Sequence, residues 1–584
     1  MMKKEYTKLI VLLFTLSLLL ACSKNTITPD PDPDPDPDPT GMAALVVNDN
    51  FEWSSGLKGT LNLSFENPNN VSIEREIISI VDENGLVLKR AMILNGAASF
   101  KIDLPQNATY SIYFPVTGDE FPITSLGAQT LTLTNTISDI PGLKDDEIQS
   151  CTTCDNPLIN AGAEVPSIGT GPRWTLKHED DVPGWETTAT DNNIEIWTNN
   201  FLGVPAQEGN QIFEINATQD AALYQELCVE PGSTVKWSVW HRGRQGVDVA
   251  VAKIGATVET AEVQATMTDG NTEWGYYEGT YTVPEGQTTT VFAFEAVSTA
   301  TGNKSVGNLL DNFEIECDAD GDGIKDEDDD DPNNAQVAYV SYFPTAGKQI
   351  VAFEDLWPST GDFDFNDLTM SNKVKINKDQ NFNLLSAEFT VSIDAIGATI
   401  NNGVGLMLYD ENKEAFAQNI IESVSGDVSL DNDNTNGLIV TNDVFAAIGD
   451  LYKNNGVGPS QVPDTLKFTV NFNANAEDFI PELYLFRTAN RRHEIHRAEF
   501  PATSMMDNSK FNTSDDAGHY KTANGLPWGI EIYLEGAYAS PRELVDMLEA
   551  YPQFSSWVSS GGSQNTNWYE NPVTANVFVV PTPQ

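Results

Sequence analysis

Aspartate recurs at regular short intervals in residues 318–329, which read DADGDGIKDEDD. Alternate carboxylates in such a loop can converge on one hard cation, with Gly323 permitting the sharp turn. The predicted calcium ligands are Asp318, Asp320, Asp322, the carbonyl of Ile324, Asp326 and Asp329. Without calcium, the mutual repulsion of the carboxylates should leave the segment disordered. The alternative is an acidic linker with no specific ion site.

A second acidic turn, GDFDFND at 361–367, follows an apolar strand. Its alternating oxygen groups again favour a hard cation, while Phe363 and Phe365 should point into a core. The predicted ligands are Asp362, Asp364, Asn366 and Asp367. The alternative is a polar turn that caps its own backbone.

Two tryptophans are candidates for a sugar-binding surface. Period-two alternation separates Trp197 and Glu195 from the isoleucines of their strand, and Trp240 from Trp237. An exposed indole can stack on the C–H face of a pyranose, while charged groups bind its hydroxyls. The predicted ligand-binding residues are Trp197, Glu195, Trp240, His241, Arg242 and Arg244. The alternative is that both rings pack beneath loops.

Motifs for catalysis are weak. His493 and His496 in HEIH have one residue too few between them for the zinc-protease motif. The sequence contains no Gly-x-Ser-x-Gly elbow and no phosphate loop. We therefore expect a protein without catalysis, and a glycan hydrolase with paired carboxylates is an alternative.

The N-terminus indicates export. An apolar run from Leu9 to Ala21 follows three lysines and is too short to span a bilayer. Its end, LLAC at 19–22, resembles the lipobox of bacterial lipoproteins, which implies cleavage before Cys22 and acylation (palmitate) of that thiol. An ordinary signal peptide is the alternative. Residues 29–39 alternate Pro and Asp, which predicts an extended stalk.

Four further cysteines are disulfide candidates in an exported chain: Cys151, Cys154, Cys228 and Cys317. They allow three connectivities. A redox pair or a zinc site lacks the surrounding pattern.

Composition limits the partners. The chain has 584 residues, with 85 Asp and Glu against 32 Lys and Arg, a formal net charge of -53. This excess disfavours nucleic acid as a partner, because phosphate binding needs clustered cations. It fits either a calcium-containing medium or simple solubility.

Short alternating runs predict a mainly β, multi-domain chain. The predicted divisions are a lipoprotein signal peptide (1–21), a Pro-Asp stalk (22–41), an immunoglobulin-like β-sandwich (42–147), a jelly-roll β-sandwich (148–317), an acidic calcium-binding linker (318–334) and a mainly-β domain with a short C-terminal helix (335–584). Helical spacing after Pro541 predicts that helix over 541–550.

Two regions resemble known families. LINAGAE (158–164), VPGW (182–185), GNQIFE (209–214) and LDNFEI (310–315) resemble the galactose-binding-like jelly-roll of many carbohydrate-binding modules. That resemblance implies a structural calcium shared by Glu164 and Asp311. The 318–329 loop, with Asp329 in place of the usual Glu, resembles a thrombospondin type 3 repeat.

FEDLWP (353–358), GDFDFND (361–367), EIH (494–496), NGLPW (524–528) and WY (568–569) resemble the LruC domain of bacterial surface lipoproteins. That resemblance implies a cell-envelope domain and no particular reaction. We therefore expect a calcium-binding protein tethered by lipid to the outer membrane, facing the cell surface or the periplasm, that binds glycans or mediates adhesion. A structural envelope protein without a specific ligand is the alternative.

Overall fold

The computed structural model describes residues 40–48, 51–68, 73–115, 117–134, 158–227, 229, 231–447, 462–473, 478–498 and 500–579. The predicted signal peptide, Cys22, nearly all of the stalk, Cys151, Cys154 and Cys228 lie outside these residues. Within them, no helix is both long and apolar enough to cross a membrane. The predicted mainly-β, multi-domain architecture is confirmed.

The first domain is a β-sandwich. Its strands are β1 (Gly56–Glu66), β2 (Ile77–Asp82), β3 (Val87–Met92), β4 (Ala97–Pro105), β5 (Tyr110–Phe114), β6 (Asp119–Pro122) and β7 (Gly127–Thr132). One sheet has the order β4-β1-β7, with β7 parallel to β1, and the other has the order β3-β2-β5-β6. Alternate residues of both sheets, such as Leu61, Phe100 and Ile112, share one core.

The second domain has a larger pair of sheets. Its strands are β8 (Trp174–His178), β9 (Glu186–Thr187), β10 (Asn193–Thr198), β11 (Gln211–Glu214), β12 (Ala222–Leu227), β13 (Thr234–Arg242), β14 (Asp248–Gly255), β15 (Glu262–Asp269), β16 (Gly275–Thr282), β17 (Thr290–Ser298) and β18 (Leu309–Cys317). A six-stranded sheet, β16-β13-β18-β11-β10-β8, packs on a five-stranded sheet, β15-β14-β17-β12-β9. Trp185, Trp237 and Phe294 fill the core between them.

The C-terminal domain contains the remaining elements: β19 (Tyr339–Phe343), β20 (Lys348–Phe353), β21 (Leu368–Lys378), β22 (Leu384–Ala395), β23 (Asn402–Tyr409), β24 (Ile421–Gly426), β25 (Ser429–Leu430), β26 (Gly437–Thr441), α1 (Val444–Ala447), β27 (Asp464–Phe472), β28 (Ile480–Arg487), β29 (Asn490–Ile495), β30 (Gly529–Leu534), β31 (Ala539–Pro541), α2 (Met547–Ala550), α3 (Phe554–Ser559) and β32 (Val577–Val579). One sheet has the order β24-β27-β22-β21-β20-β30, with β19 beside β21. It packs on a second sheet, β25-β26-β23-β28-β29, around a shared core.

Residues 42–55, assigned to the first sandwich by the sequence analysis, pack instead in the C-terminal domain. Trp53 is buried against α3, with its ring 6.3 Å from that of Trp557. Backbone hydrogen bonds join Val47 to Asn524 (3.0 Å) and Ser55 to Glu531 (3.1 Å). The apolar side chains of this segment therefore complete a core whose other half lies more than 400 residues further along the chain.

The predicted short C-terminal helix is present, but it covers only Met547–Ala550 of the expected 541–550. The helix begins only at Met547, because the Asp546 side chain accepts a hydrogen bond from the Leu548 backbone N–H (2.8 Å) and caps the helix there. Leu544 adopts a positive φ of 65° and is exposed, so the helical spacing of the leucines does not reflect a helix.

Candidate functional site

The 318–329 loop begins directly after β18 and brings three aspartates together. One carboxylate oxygen from each of Asp318, Asp320 and Asp322 lies within 4.8 Å of the other two. The buried Asp318 carboxylate accepts hydrogen bonds from the backbone N–H groups of Gly321 (2.8 Å) and Gly323 (3.0 Å). Both glycines have a positive φ, 79° and 97°, which side chains disfavour. The spacing therefore produces a tight loop with converging oxygens.

Two oxygens of this loop have no protein partner. Oδ2 of Asp320 and Oδ2 of Asp322 are buried and accept no hydrogen bond. Burial, together with the charges of Asp322 and Asp320, raises the pKa of Asp329 to about 7. A hard cation would satisfy the free oxygens and offset this repulsion, so the donor set fits calcium.

Of the other predicted ligands, Asp326 has a hydrogen-bond partner within the loop, and Ile324 packs through its side chain. Asp326 accepts a hydrogen bond from the Ala319 backbone N–H (2.7 Å). The side chain of Ile324 is buried against Ile77 of the first sandwich and Tyr339 of the C-terminal domain. The loop is therefore packed between domains.

The structure also brings the second acidic turn together with a residue that the sequence analysis missed. Oxygens of Asp362 and Asp364 lie within 4.8 Å of an oxygen of Glu354, the residue after β20. Phe363 and Phe365 are buried, as predicted, and both have a positive φ. Asp367 lies outside this group, and its carboxylate accepts a hydrogen bond from the Asp355 backbone N–H (2.8 Å). Glu354 could have been predicted as a third member of this group from its position at the end of a strand that precedes the turn.

Trp197 and Glu195 are not exposed, contrary to the prediction. Both lie on the outer face of the six-stranded sheet, but the segment from Phe201 to Ala206 covers them and leaves Trp197 0% exposed. The indole N–H donates to the Glu195 carboxylate (2.8 Å). This part of the face is closed to a ligand.

Arg244 stabilises the same buried group. Its guanidinium lies 4.7 Å from the centre of the Trp197 ring and donates to both oxygens of Glu214 (2.8 and 2.9 Å). Burial, then the charge of Glu195, raises the pKa of Glu214 to about 8 despite the arginine. Arg244 therefore has protein partners where the prediction gave it a ligand.

His241 and Arg242 are also buried. The His241 ring lies between Asp269 (2.7 Å) and Asn308 (2.9 Å). The Arg242 guanidinium donates to the Asn271 carbonyl (2.6 Å). The structure thus gives both side chains internal partners. Of the predicted ligand-binding residues, Trp240 and Arg244 are partly exposed, and Arg244 is held by Glu214.

Trp240 is half-buried and lies beside Tyr276, which pairs with it across β13 and β16 (ring centres 4.9 Å apart). Arg75 of the first sandwich lies over the Tyr276 ring (4.9 Å) and forms an ion pair with Glu278 (2.5 Å). Lys236 lies 3.5 Å from the same carboxylate. We call Trp240 and Tyr276 the aromatic pair.

The aromatic pair lines a groove of about 50 Å³ between the first sandwich, the jelly-roll and the 318–334 linker. Burial, then the charge of Glu314, raises the pKa of Glu76 in this groove to about 8. Lys325 of the linker lies 3.3 Å from Glu316 and 3.5 Å from Asp328. These groove residues were not predicted from the sequence, because they meet only through the packing of separate domains.

Glu164 and Asp311, expected to share a calcium ion, bind backbone amides. Glu164 accepts hydrogen bonds from the N–H groups of residues 210 and 211 (both 2.7 Å), and Asp311 from those of residues 207 and 208 (2.6 and 3.1 Å). Across the described ranges, neither belongs to a group of three metal-capable side chains. Their role here is to fix the segment that covers Trp197.

Cys317 is disulfide-bonded, and its partner cysteine lies outside the described residues. The HEIH motif does not form a metal site on a helix. His493 contacts the Trp357 carbonyl (2.7 Å), whereas the fully buried His496 lies between Glu482 (3.0 Å) and Glu494 (3.2 Å).

One stretch of the chain matches a known family model. Residues 383–569 match the family described as "Domain of unknown function (DUF4842)", within the C-terminal domain. A search of curated proteins gives no significant match.

Among solved structures, the chain is similar to a protein named as a candidate lipoprotein from Bacteroides ovatus, with 16% identity, coverage of 60% of this chain and 95% of that one, and a TM-score of 0.31. It is also similar to the CBM22-2 xylan-binding domain of Paenibacillus barcinonensis Xyn10C (15% identity, 25% and 98% coverage, TM-score 0.18). The C-terminal family 22 carbohydrate-binding module of Clostridium thermocellum Xyn10B is another (16%, 25% and 93%, TM-score 0.19). These TM-scores are too low to support a function.

Proposed function

We propose that the protein is a glycan-binding or adhesion protein of the bacterial cell envelope, with its sugar site at the aromatic pair. The observation that carries the proposal is the pair of half-buried rings on the outer face of the jelly-roll, flanked by Arg75, Lys236 and Glu278. A pyranose can stack its C–H face on such rings while neighbouring charged groups bind its hydroxyls.

The dimensions of the groove define the binding mode. Its interior of about 50 Å³ holds a few water molecules and no sugar ring. The sugar would therefore lie across the exposed part of the aromatic pair. Arg75 would then be a direct neighbour of the bound sugar.

We further propose that calcium at the 318–329 loop supports this site. Lys325 and Asp328 of the linker line the groove, so an ordered loop forms one of its walls. Glycan binding should then require calcium. The resemblance to thrombospondin type 3 repeats is consistent with such a loop.

The proposed location is the outer membrane, through acylation of Cys22. It is supported by the apolar run ending in LLAC and by the Pro-Asp stalk that follows. Palmitate labelling of the full-length precursor and of a Cys22→Ser variant tests the anchor. Equal labelling of both proteins would contradict it.

A glycan array probed with the mature protein tests the sugar site. We expect binding in calcium, its loss in chelator, and about tenfold weaker binding by Trp240→Ala. Trp174→Ala is the matched control, since Trp174 is an exposed tryptophan of the same domain outside the groove. Absence of binding to every glycan would sink the proposal, and release of sugar from polysaccharides would favour a hydrolase.

The Arg75–Glu278 ion pair favours a second candidate function. It places the first sandwich over the Tyr276 ring, as expected if this face serves only to join domains in a structural envelope protein. Under that function, Trp240→Ala lowers the free energy of unfolding, and the array shows no specific glycan.

A further inference from the structure

We propose that Glu354, Asp362 and Asp364 form a second divalent-cation site in the C-terminal domain, with Glu354 as the ligand that completes it. The three residues come from two segments, the end of β20 and the turn at 361–367. The site extends the calcium chemistry of the proposed function to a different domain. It depends neither on glycan binding nor on the 318–329 loop.

The carboxylate of Glu354 carries the main observation. Glu354 is 0% exposed, and its Oε1 accepts a hydrogen bond from the Phe365 backbone N–H (2.7 Å). Its Oε2 is buried and has no hydrogen-bond partner. That oxygen points toward the acidic turn, where a side chain at Gly361 would come within 1.9 Å of it. An unpartnered buried carboxylate oxygen is costly unless a cation or a proton occupies the site.

The other two carboxylates complete an oxygen-only donor set. Asp364 is fixed by hydrogen bonds to its carboxylate from the Asn366 side chain (2.7 Å) and the Leu544 backbone N–H (3.0 Å). Asp362 is exposed, which leaves room for water ligands and an entry path. Carboxylates plus water are the ligands of calcium and magnesium, while thiolate and imidazole ligands of softer metals are absent from this group.

Charge favours the same conclusion. Within the described part of the chain, no Lys, Arg or His forms an ion pair with any of these three carboxylates. Three neighbouring carboxylates repel one another without a counter-charge, and one divalent cation provides it. Asn366, predicted as a ligand, donates its side-chain amide to Asp364 and to the Pro541 carbonyl (3.1 Å). These two bonds position Asp364, while the Asn366 side-chain oxygen is buried without a hydrogen-bond partner.

A cation here would join three parts of the domain. Glu354 continues β20, and the turn contributes Phe363 and Phe365 to the core. The Phe363 carbonyl accepts a hydrogen bond from the Met547 N–H (3.1 Å), which connects the turn to α2. Binding should therefore raise the thermal stability of this domain by mass action.

Calcium stoichiometry of the full mature chain tests the site. Chelator-treated protein is titrated with calcium by calorimetry, and bound ions are counted by native mass spectrometry. Glu354→Gln and Asp362→Asn should each bind one calcium ion fewer than the unaltered protein, and than Glu273→Gln, an exposed control. Asp362→Asn keeps the test decisive if Glu354→Gln fails to fold, because Asp362 is outside the core.

The 318–329 loop is tested separately in the same experiment. Asp322→Asn should remove a different ion, so the double variant Asp322→Asn, Asp362→Asn should lose both. If Glu354→Gln and Asp362→Asn bind as many ions as the control, a shared proton occupies the site and the proposal is overturned. If Asp322→Asn binds as many ions as the control while Glu354→Gln and Asp362→Asn each lose one, the 318–329 loop binds no calcium and the second site is supported.

Discussion

Removal of calcium is expected to detach the 318–334 linker from the domains on either side. Ile324 is 7% exposed between Ile77 and Tyr339, and burying such a side chain contributes about 2 kcal/mol. Calcium at about 100 times its dissociation constant would add ~2.7 kcal/mol to the ordered loop. Chelation should therefore raise the population of the open linker by up to ~100-fold.

Trypsin cleavage after Lys325 measures this opening. In the ordered linker, Lys325 is held by Glu316 and Asp328. When opening is faster than cleavage, the cleavage rate follows the open population, so chelator should accelerate it by up to ~100-fold. The Lys325–Asp326 bond is followed by mass spectrometry, which separates it from cleavage elsewhere.

Variants separate the ion from the packing. Asp322→Asn should be cleaved quickly even in calcium, and Ile324→Ala should be cleaved quickly because it loses the apolar contact, at about 2–5 kcal/mol. Asp180→Asn, an exposed aspartate of the jelly-roll, is the control. A cleavage rate that is the same with calcium and with chelator would refute the reasoning.

Three further predictions concern buried groups. Burial lowers the pKa of His496, but its two glutamate partners raise it to about 9, above an unfolded value near 6.5. Protonated His496 therefore stabilises the folded protein by ~3 kcal/mol below pH ~6.5, and this contribution is lost as the pH rises through about 9. The urea midpoint of the unaltered protein should fall over this range, whereas that of His496→Gln should not. Trp197→Ala should lower the free energy of unfolding by ~3–5 kcal/mol in urea titrations, whereas the exposed Trp174→Ala should change it by less than ~0.5 kcal/mol. Arg244→Met removes two hydrogen bonds to the buried Glu214 carboxyl group and should cost about 1–3 kcal/mol in the same titrations; an unchanged midpoint would contradict the pairing.

Local spacing predicted the local geometry well. The aspartates of 318–329 converge because the loop that holds Asp318, Asp320 and Asp322 is short and is turned by two glycines. Phe363 and Phe365 point inward as their alternation with polar residues predicted, although their positive φ values show a turn and not a strand. In both cases the residues that matter are close in sequence, so the pattern contains the information.

Contacts between segments that are distant in the sequence could not be predicted from local spacing. Alternation placed Trp197 on the correct face of its strand but could not show that residues 201–206 cover it. Glu164 and Asp311, from other parts of the chain, hold residues 207–211, which directly follow that segment. Trp53 joins the C-terminal core across more than 470 residues. At Leu544 a local pattern was misleading. The helical spacing of the apolar residues predicted a helix there, but the positive φ of Leu544 is not helical.

The most direct measurement is the dissociation constant of the strongest array glycan, determined by calorimetry for the unaltered protein and for Trp240→Ala in calcium. Loss of one stacking contact, about 1–1.5 kcal/mol, should weaken binding by about tenfold while the variant remains folded. Trp174→Ala should bind like the unaltered protein. Equal affinity of Trp240→Ala and the unaltered protein would contradict a sugar site at the aromatic pair.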